Sequence, residues 1–183
     1  DQSQDESIRI AQYAVMTVEV MDAFKKRIQV KRVMGLENKI HECFSFMIQK
    51  ESIIRRIDID PDTLDIRLID YTGGELLKTQ LSAGEKQLLA VSILWGLAQS
   101  SGYDMPVIVD TPLGRLDSQH RTNFVERYLP HASKQVIVLS TDEEINGRYF
   151  TLIRPYVNAV YTLVYDDESK STSISGGYFG GKS

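Results

Sequence analysis

A single cysteine, Cys43, among 183 residues excludes an internal disulfide and any cysteine-built metal cluster. His41, His120 and His131 show no ligand spacing, so a histidine metal site is excluded as well, and all four residues are read as structural. No pyridoxal lysine motif, cysteine nucleophile or iron–sulfur ligand set is present, which removes cofactor-borne group chemistry. No stretch resembles a signal peptide or a membrane span; the expectation is a cytoplasmic protein without a membrane partner. The formal charge of −4 gives no general affinity for nucleic acid. A local exception is Lys25, Lys26, Arg27, Lys31, Arg32 and Lys39, which reads either as a solvated helix face or as a surface for DNA backbone. A hydrophobic content of 42% is enough for one sizeable core.

From Ser7 to Ile48 there is no proline and one glycine, Gly35. Apolar residues recur at Ala11, Ala14, Val18 and Met21, then at Val33, Leu36, Ile40, Cys43 and Met47, in steps of three and four. The register slips by one residue between the two runs. Residues 1–49 are thus expected to be a helix, either the last turns of a coiled-coil arm or an amphipathic core helix. Residues 50–179 read as an α/β lobe. Ile57 and Ile59, then Leu64, Ile66 and Leu68, alternate with polar residues around Asp60-Pro61-Asp62-Thr63 and predict a hairpin, followed by a turn at Thr72-Gly73-Gly74. Residues 83–100 are apolar nearly all round and predict a buried helix stopped by Gly102. A helix is expected from Asp117 to before Pro130, another from Glu143 to about Ile153, and a hairpin from 159 to 175.

The chemistry concentrates in three places. In Leu81-Ser82-Ala83-Gly84-Glu85-Lys86-Gln87, Ser82 and Glu85 have the S-x-x-E spacing of a capping box, so a helix begins at Ala83. Its N-terminus offers free amides and a positive dipole end, and Gly84 leaves room for an anion; the alternative is an ordinary capped helix. Val107-Ile108-Val109 reads as a buried strand of a parallel sheet ending in Asp110, where a carboxylate can hold Mg²⁺ beside nucleotide phosphates. Thr111-Pro112-Leu113-Gly114-Arg115-Leu116-Asp117 then forms a loop in which Asp117 caps the next helix. A second apolar strand, Val136 to Leu139, leads into Ser140-Thr141-Asp142, so that two strand ends face one crevice.

These elements, in this order, resemble ABC-type ATPase heads of the SMC and recombination-repair branch. More narrowly, LSAGEKQLLAVSILWGLA, VIVDTPLGRLDSQHR, ERYLPHASKQVIVLSTDEEI and a terminal GGYF resemble the DndD family, the ATPases of bacterial DNA phosphorothioation (DNA sulfur modification). The resemblance covers residues 81–179 and implies the C-terminal lobe of a P-loop ATPase head using ATP and Mg²⁺. It implies that Ser82 and Gly84, flanked by Ala83, Glu85 and Gln87, contact the γ-phosphate of an ATP bound mainly by a partner head in a homodimer. It further implies that Asp110 serves Mg²⁺ and that the Gly114–Asp117 loop crosses the dimer interface. Arg115 would reach phosphate or protein there, or be a surface ion-pair partner. Implied partners are the N-terminal half of the same head, other sulfur-modification proteins and DNA.

Two departures bear on catalysis. Where the wider superfamily has a water-activating Glu after the metal Asp, this chain has Thr111, which has no carboxylate to take a proton. Where a His reads the γ-phosphate, it has Thr141, either a phosphate hydrogen-bonding group or merely the cap of a second box with Glu144. Slow hydrolysis is expected, with an ATP-gated clamp or scaffold, or a related repair or antiphage ATPase, as alternatives. Gly176 to Ser183 fits G-x-x-x-x-G-K-S, but a phosphate loop needs a helix after it and the sequence stops at Ser183. Residues 180–183 are read as a tail, and the true loop is expected in an N-terminal half.

Overall fold

The proline-free segment forms one uninterrupted helix, α1 (Gln2–Met47), 46 residues long and therefore about 69 Å at 1.5 Å per residue. The structure, a computed structural model, describes residues 2–48, 53–145 and 147–178; the expected tail at 180–183 lies outside them. Residues 8–32 of α1 are exposed along their whole length, Val18 and Met21 included. Val33, Ile40, Cys43, Phe44 and Met47 are instead buried against α2 (Ala83–Ser101) and β1 (Arg56–Ile59). The two apolar stripes thus have different fates: the lower one is core, and the upper one stands uncovered, as one strand of a coiled coil does without its mate.

The seat of the arm is held by polar contacts at its end. The last carbonyls of a helix lack intrahelical donors. Here the Asn123 amide donates to Met47 O at 2.9 Å and the Arg127 guanidinium to Phe46 O at 2.9 Å. The Ile59 amide donates to the Glu37 carboxylate at 2.6 Å, tying the arm to the first strand. Burial pushes the Cys43 thiol up to about 11 from 9.0, so below pH 9 the folded chain should carry roughly a hundredfold less thiolate than the unfolded one. Ellman's reagent at pH 8 is accordingly expected to label Cys43 slowly in the folded chain and fast in urea; equal rates would show that the arm does not seat.

β1, β2 (Ile66–Ile69) and β3 (Glu75–Leu76) form an antiparallel sheet in which Ile57 faces Leu68. Asp60 closes the first turn by accepting the amides of Asp62 and Thr63, both at 2.9 Å. Leu64, expected to start the second strand, sits instead in that turn at φ 63° and is exposed. Asp70 accepts the Thr72 and Gly74 amides around the second turn, where Gly73 takes φ 86°.

α2 ends at Gly102 (φ 72°) as expected. β4 (Val107–Asp110) and β5 (Val136–Leu139) pair in parallel, Asp110 opposite Leu139. Between them α3 (Ser118–Asn123) runs into a π-turn at Phe124–Tyr128, closed by the Leu129 amide on Phe124 O at 3.1 Å. α4 (Gly147–Ile153) follows, then the hairpin of β6 (Tyr161–Asp166) and β7 (Ser171–Gly176).

Three expectations are corrected. α2 is not buried all round: Leu88, Leu89 and Trp95 enter the core, but Leu94 is 67% and Leu97 45% exposed. β4 is not covered on both faces, since Ile108 is 65% exposed and Ile137 and Leu139 of β5 also face out. Parallel strands are normally covered on both sides, so the two-stranded sheet presents an apolar face that the described residues leave open. The helix expected from Glu143 begins only at Gly147, residues 141–145 forming turns. The second capping box does not form, because the Glu144 carboxylate is taken by another amide, described below.

Candidate nucleotide site

The tip of α2 is built as its sequence requires. Ser82 Oγ accepts the Glu85 amide at 3.2 Å while Glu85 Oε2 accepts the Ser82 amide at 2.8 Å, a reciprocal box that leaves the Ala83 and Gly84 amides without a partner among the described residues. Those two donors at the positive end of a 19-residue helix suit an oxyanion. Gly84 is buried against the loop after β4: a Cβ there would meet His120 Nδ1 at 3.4 Å and Arg115 O and Leu116 Cδ2 at 3.8 Å.

That loop is anchored at both ends. Leu113 and Leu116 are buried, while Gly114, Arg115 and Asp117 are exposed. Asp117 caps α3, its Oδ1 accepting the Gln119 amide at 3.0 Å and the His120 amide at 2.9 Å, and its Oδ2 lies 2.8 Å from His120 Nδ1. The His120 amide, then its side chain, hold the Asp117 carboxyl below the usual carboxylate range. The Arg115 guanidinium has no partner among the described residues, so the ion-pair alternative is not met within them.

The parallel register sets Asp110-Thr111 beside Ser140-Thr141, and the Thr111 amide donates to Leu139 O at 2.8 Å across the strand ends. Thr111 takes φ 43°, a conformation that a β-branched residue adopts only where its surroundings impose it. Asp110, Thr111 and Thr141 are all exposed at this edge. Among the described residues the Asp110 carboxylate has no hydrogen-bond or ion-pair partner, and no cluster of three or more His, Cys, Asp or Glu could hold a metal. One open carboxylate suits Mg²⁺, which keeps its waters and takes few protein ligands, and does not fit a metal that needs a protein cage.

Two side chains take long-range roles that the sequence did not show, Gln87 having been expected beside the γ-phosphate and Glu144 only in a local cap. Gln87 turns inward, donating its amide to Pro112 O at 2.6 Å. Glu144, 7% exposed, accepts the Leu113 amide at 2.5 Å. The T-x-x-E spacing read as a local cap, and the long-range acceptor role had no signal in one dimension.

No family model matches the chain, and no curated protein does. Solved structures do. The chain is similar to a protein described under "Structural biochemistry of ATP-driven dimerization and DNA stimulated activation of SMC ATPases", with 13% identity, TM-score 0.60, 84% of this chain and 89% of that one covered. It is similar to the Smc head domain with a coiled coil and joint from Pyrococcus yayanosii (14% identity, TM-score 0.70, 96% of this chain, 33% of that). The Smc head with an extended coiled coil from Pyrococcus furiosus gives 13% identity, TM-score 0.64, 88% of this chain and 40% of that. The chain thus spans well under half the length of the two Pyrococcus heads. The fold is therefore that of the C-terminal lobe of an SMC-type ATPase head, entered through one long arm helix.

Proposed function

We propose that this chain is half of a nucleotide-binding head that, completed by a half bearing the phosphate-binding loop, closes with a second head around Mg-ATP, hydrolyses it slowly and serves DNA sulfur modification. The observation that carries the first part is the open sheet. Ile108, Ile137 and Leu139 form an exposed apolar face on the paired strands β4 and β5, and a patch of this kind marks a surface built to be covered. The similar SMC ATPase described as dimerising under ATP and being activated by DNA supports the closure step. The assignment to sulfur modification rests on the resemblance of residues 81–179 to the DndD family.

In this reading the Ala83 and Gly84 amides and the Ser82 hydroxyl receive the γ-phosphate of an ATP held by the opposite head. Asp110 would hold Mg²⁺, which when bound screens phosphate charge. Arg115 and Asp117 meet the opposite head, Glu85 fixes the tip of α2, and Thr111 and Thr141 position water or phosphate by hydrogen bonding. Loss of a general base costs about 10²–10⁴ in rate, hence a low turnover. The second reading, an ATP-gated clamp that scarcely hydrolyses, is favoured by the same exposed hydroxyls at both strand ends.

Phosphate release from Mg-ATP by the chain mixed with its complementary half, with and without DNA, tests this. Expected is no release by the chain alone and slow release by the assembled head. ATP-dependent dimerisation without release would support the clamp, and neither would sink both.

A further inference from the structure

The Pro112–Leu113 peptide unit is gripped on both of its polar atoms. Its carbonyl, Pro112 O, accepts from Gln87 Nε2 at 2.6 Å; its amide, Leu113 N, donates to Glu144 Oε1 at 2.5 Å. Gln87 comes from the first turns of α2, just beyond Ser82 and Gly84, and Glu144 from the turn that follows Thr141. Three segments that the sequence separates by tens of residues therefore converge on one peptide. The remaining oxygens, Gln87 Oε1 and Glu144 Oε2, are buried without a hydrogen-bond partner. A carboxylate 93% out of solvent, spending one oxygen on a backbone amide and leaving the other unmatched, is costly to keep for packing alone.

What lies on each side of the gripped peptide gives it a purpose. Immediately before it is Thr111 at φ 43°, and one residue earlier Asp110; immediately after it is Gly114, a Cβ on which would lie 3.9 Å from Glu144 Oε1. The peptide cannot rotate without releasing both grips. Left-handed Thr111 is an unfavourable conformation that relaxes unless something opposes it, and the grip is placed to oppose it.

We infer that Gln87 and Glu144 are positioning residues of the nucleotide site, clamping the Pro112–Leu113 peptide so that Asp110, Thr111 and the Gly114–Asp117 loop keep one geometry relative to the tip of α2. This rests on the ATPase reading above. Glu144 acts by accepting a hydrogen bond, not by taking a proton: its bonded oxygen faces a backbone amide and its other oxygen is sealed from solvent. It is thereby distinguished from a relocated general base, the role that Thr111 leaves empty.

The discriminating variants are Glu144→Gln, which keeps the acceptor oxygen and cannot serve as a base, and Glu144→Ala, which removes both. In the assembled head, Glu144→Gln should keep kcat within about threefold of wild type, while Glu144→Ala and Gln87→Ala lower kcat about tenfold or more with KM changed less than about threefold. A Glu144→Gln head as inactive as Glu144→Ala would overturn positioning in favour of a base; a Glu144→Ala head as active as wild type would overturn it outright. Hydrogen–deuterium exchange over residues 111–117 is read in parallel. Faster exchange is expected in Glu144→Ala and Gln87→Ala and near-wild-type exchange in Glu144→Gln, whether or not the head hydrolyses ATP. If wild type releases no phosphate but exchange responds in this way, the ATPase reading fails and the grip on the Pro112–Leu113 peptide stands. If exchange in the Ala variants is unchanged, the grip fails by itself.

Discussion

Replacing Gly96 by Val should destabilise the chain by about 3 kcal/mol or more and detach the arm from the head. Gly96 lies on the buried face of α2 where α1 crosses it, and a Cβ there would sit 2.7 Å from Ile40 Cγ1 and 3.1 Å from Ile40 Cα and N. Ile40 is itself fully buried, and two of those three atoms are backbone, so rotamer change cannot relieve the contact. Helix propensity argues the other way, because Gly in a helix interior costs about 1 kcal/mol relative to Ala. Sterics decide the sign: even Gly96→Ala is expected to lose net stability. Gly35 on α1 supplies the contrast, since nothing lies within 4 Å of a Cβ there. Gly35→Ala should therefore gain about 0.5–1 kcal/mol from propensity alone. Urea midpoints at unchanged m-value read both effects; a Gly96→Val chain as stable as wild type would refute the close helix crossing.

The second large effect concerns activity. Ser82→Arg places a long cation on the exposed tip of α2 and removes the hydroxyl that caps it, while Asp110→Ala removes the open carboxylate at the end of β4. In the assembled head each alone should reduce phosphate release by about a hundredfold or more, because charge stabilisation and positioning account for most of phosphoryl-transfer catalysis. Their combination is more telling than either. A Cβ on Gly84 at the α2 tip would meet Arg115, Leu116 and His120 of the same chain. If Ser82 serves the opposite head's nucleotide, a mixed dimer of one Ser82→Arg head and one Asp110→Ala head keeps one intact site. With random pairing of two-fold dimers, mixing the two inactive proteins should restore roughly a quarter of the wild-type rate. No recovery on mixing, with dimers still forming, would place both residues at the same head's nucleotide.

Much of the fold could be read along the chain because its signals are local. The α2 box needs only Ser82 and Glu85 three residues apart, and both of its hydrogen bonds form. Gly102 ends α2 by taking φ 72°, while Asp117 caps α3 and Asp60 and Asp70 close their turns, each of the three through a side chain within four residues of its partner. Errors arose where a local pattern competed with a distant partner. Thr141 and Glu144 have the same spacing as Ser82 and Glu85, yet Glu144 is drawn across to Leu113, because a buried backbone amide without an acceptor costs more than a loosened helix start. Leu64 continues an alternating pattern but is captured by the Asp60 turn.

The sequence by itself determined the long helix, the two parallel strands ending in Asp110 and Leu139, and the capped start of α2, since periodicity, strand patterning and capping act over a few residues. Only the tertiary structure decided where α1 stops being arm and becomes core, which faces of α2 and β4 remain open, and that Gln87 and Glu144 meet on one peptide. Hydrophobicity states that a side chain seeks burial but not against what, and a hydrogen-bond donor 31 residues away from its acceptor leaves no periodic trace.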